Sequence, residues 1–136
     1  MYDKILIPVD ISHTEKAAPM IEVAKKLGGE NTQYILMSVI FLVPGYLETS
    51  IPQDYFEISK EEARKTLKVL AAESEIEAKV ELCVGDAAHE ILALSEDQNV
   101  EMIVIGSHKP GFSDYLLGST AARVVRHAKC PVMVLR

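Results

Sequence analysis

Five short apolar runs, at residues 4–9, 33–43, 78–84, 102–105 and 131–135, are separated by stretches in which apolar residues recur at helical spacing. That alternation constrains this chain more than any single residue does. Strands joined by helices of this length form a parallel sheet, because each right-handed crossover must lay its helix back onto the sheet, and the strands are then buried on both faces. The expected fold class is α/β, an open doubly wound five-stranded parallel sheet with helices on both faces. At 136 residues, without an internal repeat or low-complexity tract, the chain fits one domain over residues 1–136.

Local signals place most boundaries. Ser12 with Glu15 reads as a capping box, and Ala17, Met20, Ile21, Ala24 and Leu27 follow at helical spacing until Gly28-Gly29. Pro19 conflicts with an uninterrupted helix from Ser12, so either the first turn is irregular or the helix kinks. Gln33 to Val43 predicts a fully buried strand, and the stretch from Pro44 to Asp54 has no clear period and predicts a long loop. Ser59 with Glu62 reads as a second capping box, opening a helix through Ala63, Leu67, Leu70 and Ala71 that ends near residues 73–75. Ala78 to Val84 alternates as a strand, Gly85 turns the chain, and Asp86 caps a helix with Ala87, Ala88, Ile91, Leu92 and Leu94 on its buried side.

Composition removes several functional classes. The net charge is −6, and the basic residues are interleaved with acids, as in Lys60, Glu61, Glu62, Arg64, Lys65 and Lys68; such a run is a solvated helix face, and no nucleic-acid partner is expected. Cys83 and Cys130 lack metal-ligand spacing and sit in apolar strand-like contexts, which predicts two buried, reduced thiols. Tyr34 to Val43, the longest apolar run, is too short to span a bilayer, and Met1 leads into a strand without a leader-like segment. No membrane association is expected, and the expected location is cytoplasmic.

In a flavodoxin/Rossmann-like sheet of order 3-2-1-4-5, the winding reverses between strands 1 and 4 and a crevice opens at their carboxyl ends. Asp10 and Gly106 end those two strands. Gly106 begins one loop and Gly118 opens a helix, so backbone N–H groups of Ser119 and Thr120 are offered beside a glycine, an arrangement that suits an anion. Taken singly, Gly106 and Gly118 are also ordinary turn and bend residues, and Asp10 also reads as a plain helix cap. Gly106-x4-Gly111 is followed by Phe112, so there is no Walker A loop, and GxGxxG is absent. Ser107 beside His108 is adjacency in sequence, with no third member for a nucleophilic triad, so no catalytic residue is assigned and no protein-only metal site is expected.

Gly106-Ser107-His108, Leu116-Leu117-Gly118-Ser119 and Val125-Arg126-His127-Ala128-Lys129-Cys130-Pro131-Val132 together resemble the C-terminal signature of the universal stress protein family. Ile5-Leu6-Ile7-Pro8-Val9-Asp10 and Leu36-Met37-Ser38-Val39-Ile40 resemble its first two strands. The nucleotide-binding branch carries Gly, two residues, Gly, nine residues, Gly, then Ser or Thr. Here Lys109 stands at the second glycine, a glycine follows at Gly111, and the loop is one residue shorter, which resembles a short-loop subgroup. The resemblance implies ATP, with or without Mg²⁺, as the cofactor. Asp10 would then face the ribose or the metal, the Val39 backbone would meet the adenine edge, and Gly118, Ser119 and Thr120 would hold phosphate. Pro8, Val9, Gly106 and Gly111 complete the implied set; His108 and Lys109 are each a phosphate-side contact or a solvated loop residue.

The last strand is an edge about four apolar residues long, ending at Arg136, and its unpaired backbone groups invite pairing with a second copy. The family resemblance implies the same homodimer. Three functions compete: a dimeric adenine-nucleotide-binding stress regulator with little or no hydrolysis; a relative without nucleotide that works through protein contacts, with the Val43 to Asp54 loop as a surface; and a nucleotide hydrolase or transferase, for which no general base is identifiable.

Overall fold

The computed structural model of the protein describes residues 2–41, 52, 54–107 and 117–136. Five parallel strands form one sheet: β1 (Lys4–Pro8), β2 (Gln33–Phe41), β3 (Ala78–Gly85), β4 (Met102–Gly106) and β5 (Val132–Leu135), in the order β3-β2-β1-β4-β5. This is the doubly wound α/β topology expected from the alternation. β1 sits at the centre, with Ile5 and Leu6 opposite Tyr34 and Ile35 on one side and opposite Met102 and Ile103 on the other.

Helices cover both faces. α1 (Ala17–Leu27) and α2 (Tyr55–Glu73) pack on one side, where Ile5, Ile7, Leu36 and Val104 meet Ile21, Ala24 and Leu67. α3 (Ala87–Asp97) and α4 (Ser119–His127) pack on the other, where Leu6, Ile35, Met37 and Ile103 meet Ala88, Ile91, Ala121 and Val124. Successive residues of each central strand thus supply opposite cores, which is why these strands read as unbroken apolar runs. A fully buried Ile or Leu contributes about 1.5–3 kcal/mol through burial. No described helix is long and apolar enough to cross a membrane.

Both capping boxes are corrected. Asp10, and not Ser12, caps the segment after β1: its carboxylate accepts the Ser12 amide at 2.9 Å, and a 3-10 helix follows over Ile11–Lys16 with His13 in non-helical backbone. The irregular first turn absorbs the conflict at Pro19, which sits in the first turn of α1, where an absent N–H loses no bond. α2 begins at Tyr55 with Asp54 at its N-cap position, so Ser59 lies inside the helix, a full turn beyond its start. Asp86 caps α3 as expected, accepting the His89 amide at 3.0 Å. Before it, Gly85 adopts φ 151°, a backbone that a side chain would strain.

The buried stripe of α3 consists of Ala88, Ile91 and Ser95, with Leu92 and Leu94 partly buried. The thiols of Cys83 and Cys130 are free and only half-buried, because they lie on β3 at one sheet edge and beside β5 at the other. Of the Val43 to Asp54 loop, only Pro52 and Asp54 lie within the described residues.

Candidate functional site

A cleft of about 460 Å³ opens where the winding of the sheet reverses, at the carboxyl ends of β1 and β4. β1 and its exit supply Pro8, Val9 and Asp10; β2 supplies Ser38, Val39, Ile40 and Phe41; β4 supplies Ile105 and Gly106. The walls come from both helical layers, with Tyr55 and Ser59 of α2 on one side and Ala87 and Ile91 of α3 with Thr120 of α4 on the other. Six residues expected at a binding site therefore share one space: Pro8, Val9, Asp10, Val39, Gly106 and Thr120.

Backbone bonds hold the rim. The Val9 amide donates to the Met37 carbonyl at 2.7 Å, carrying the β1–β2 ladder past Pro8, and the Ser107 amide donates to the Leu135 carbonyl at 2.8 Å. Asp10 does two things at once: Oδ1 takes the Ser12 amide, and the side chain still borders the cleft. Its helix-cap reading and its cleft reading are thus compatible. Among the described lining residues it is the only charged side chain.

Gly118 and Ser119 do not line the cleft but adjoin it. Gly118 is the N-cap of α4, its own amide donates to Ser107 Oγ at 2.8 Å, and among the described residues no side chain caps the helix. The first-turn N–H groups of α4 are therefore available beside Thr120. His108, Lys109 and Gly111 lie outside the described residues.

Two ion pairs join α3 to α4 and the residues just past it. Arg123 lies 2.9 Å from Asp86, and Lys129, just past α4, lies 2.7 Å from Glu96. The His89 amide, followed by Arg123, holds the Asp86 carboxyl below the usual aspartate range, and Glu96 raises Lys129. Burial pushes the Cys83 thiol up, with help from Glu90 and Glu81, and burial also raises Cys130, so neither favours the thiolate. Among the described residues no group of three His, Cys, Asp or Glu is placed to hold a metal ion. A second cavity, about 320 Å³, lies at the amino ends of β4 and β5 between Ser95, Asn99 and Cys130, but its Glu96 and Lys129 satisfy one another and leave no charge for a guest.

Several lining residues were not expected at a site: Ile11, Met37, Ser38, Ile40, Phe41, Tyr55, Ser59, Ala87, Ile91 and Ile105. Their one sequence signal is a serine interrupting an apolar stripe, at Ser38 and again at Ser59.

The model of the Universal stress protein family matches residues 1–136. Universal stress protein MJ0531 of Methanocaldococcus jannaschii is 32% identical over an alignment covering 100% of this chain and 83% of the relative. Among solved structures, that of hypothetical protein MJ0577 superposes with a TM-score of 0.79 at 31% identity, covering 99% of this chain and 96% of the other. A universal stress protein solved in complex with cAMP shares the fold, with a TM-score of 0.69 at 18% identity and coverage of 99% and 97%.

Proposed function

The chain belongs to the universal stress protein family, and from that membership we propose that it is a cytoplasmic stress-response regulator binding an adenine nucleotide, ATP foremost, in the β1–β4 cleft. The observation that carries this reading is the convergence of Asp10, Gly106 and Thr120 on one cleft beside a helix N-terminus that no side chain caps among the described residues. Amides at such a terminus favour phosphate, and the mostly apolar walls from Met37, Val39, Ile40 and Ile91 suit a flat ring. The complex of a relative with cAMP supports the adenine part.

The charge at the cleft bears on the metal. Asp10 and a phosphate chain are both anionic, and with no cationic side chain among the described lining residues their repulsion calls for a counter-ion. Mg²⁺ is held through one or two carboxylates together with substrate phosphates, so Asp10 is the residue that would carry it. When bound, the ion neutralises phosphate charge. Asp10 positions, the α4 amides bind, and the apolar walls exclude water; among the described lining residues none is assigned as a general base, so binding with little or no hydrolysis is the reading.

The same proposal places a second copy against β5. That strand is a sheet edge, and Met133 on it is 38% exposed.

The test is direct. The chain has no Trp and five Tyr, so nucleotide carried through purification raises the 260 nm absorbance clearly over a weak 280 nm signal. Calorimetric titration with Mg-ATP should show saturable heat. Absence of both released nucleotide and heat would overturn the reading in favour of a protein-contact role.

A further inference from the structure

Two apolar stripes that pack against each other are each broken by a serine, and both breaks open on the cleft. Along β2, Tyr34 and Leu36 belong to the core under α1 and α2, and strand alternation puts Ser38 and Ile40 on the same face. Along α2, the buried positions Leu70, Leu67 and Ala63 continue at helical spacing to Ser59. Ser38 is 2% exposed, yet among the described residues neither its hydroxyl nor that of Ser59 is hydrogen-bonded. Ser95, the other buried serine, behaves normally and donates to the Leu92 carbonyl at 2.8 Å.

A buried hydroxyl without a partner is unfavourable, and a strand interior accepts valine or isoleucine there without that cost. Both serines line the cleft, with Ile40, Phe41 and Tyr55 around them. Phe41 is 70% exposed, and the Tyr55 ring is braced edge-on by Phe56 at 5.1 Å. The β2–α2 end of the cleft thus combines ring-sized apolar surface with two idle hydroxyls, each able to donate and to accept.

We propose that Ser38 and Ser59 form a base-recognition subsite, hydrogen-bonding the polar edge of a heteroaromatic ring while Ile40, Phe41 and Tyr55 cover it. This rests on the nucleotide reading above and adds side-chain determinants to it. β2 and β4 flank β1, so the ring end lies two strand spacings, about 9.5 Å, from the phosphate end at Gly106 and Thr120. A ribose bridges that span.

The test is calorimetric titration of the full chain and of Ser38→Ala, Ser59→Ala and the double variant, with Mg-ATP and separately with inorganic tripolyphosphate. Each single substitution should weaken ATP about five-fold and leave tripolyphosphate binding unchanged. Without ligand, Ser38→Ala should melt no lower than the wild type, since it removes a group with no partner among the described residues. Ser38→Cys, nearly isosteric and a weaker donor, serves if the alanine variant does not fold, and should weaken ATP in the same sense. Wild-type ATP affinity in the double variant, or an equal loss for both ligands, overturns the subsite while the nucleotide reading stands. A wild-type protein that binds no ATP overturns both.

Discussion

Ser107 Oγ accepts the amide hydrogen of Gly118 at 2.8 Å, across eleven positions of sequence, and so ties the end of β4 to the first turn of α4. The two halves of the phosphate end are held together by that bond. Ser107→Ala should lower stability by about 1 kcal/mol and weaken ATP and tripolyphosphate together, in contrast to the serines of β2 and α2. Thermal melts with paired titrations check it; tripolyphosphate affinity that stays at the wild-type value would separate Ser107 from the phosphate end.

Asp10 makes a second test. Asn caps a helix about as well as Asp, so Asp10→Asn should fold with a stability change within about 0.5 kcal/mol. It should also make ATP binding nearly independent of Mg²⁺, because the carboxylate proposed to share the ion is gone. Titrations with Mg²⁺ and with EDTA measure this, and an undiminished Mg²⁺ effect in the variant would place the ion elsewhere.

Acid stability follows from Asp86. Its folded pKa is depressed by the His89 amide and by Arg123, so its contribution is present above the unfolded value near 4 and is lost as pH falls through the folded value. Asp86→Asn should therefore melt lower than the wild type at pH 7, with the gap closing below about pH 4. Melting curves from pH 7 to pH 2.5 decide it; a gap that stays constant across that range contradicts the linkage.

The edge strand gives a prediction about assembly. Met133 projects partly into solvent from β5, whereas Val134 packs on the core beneath α4, so a charge at Met133 perturbs an interface without burying itself in the monomer. Met133→Lys should shift light scattering toward the monomer mass while far-UV circular dichroism is unchanged. A persistent dimer would locate the contact away from β5.

How much of this was legible in the chain depends on distance along it. The parallel sheet and its central strands were readable because Ile5-Leu6-Ile7, Ile35-Leu36-Met37 and Met102 to Ile105 must each be buried on both faces, and the family resemblance supported the order. The caps were misplaced because a Ser-x-x-Glu spacing says nothing of competitors: Asp10 lies two residues before Ser12 and reaches its amide first, and Tyr55 and Phe56 extend α2 a turn ahead of Ser59. Asp10, Gly106 and Thr120 carried motif signals. Ser38, Tyr55 and Ser59 carried no signal for a site, because their shared location depends on β2 and α2 packing together, which no local window encodes.

The paired charges between α3 and α4 bear on how one wall of the cleft is built. Asp86–Arg123 and Glu96–Lys129 are exposed pairs of small weight in stability, and they accompany an apolar contact built on Ala88, Ile91, Ala121 and Val124. The two helices consequently present one continuous wall to the cleft, through Ala87, Ile91 and Thr120. On the opposite wall the opening turns of α2 leave Tyr55 and Ile58 partly in solvent.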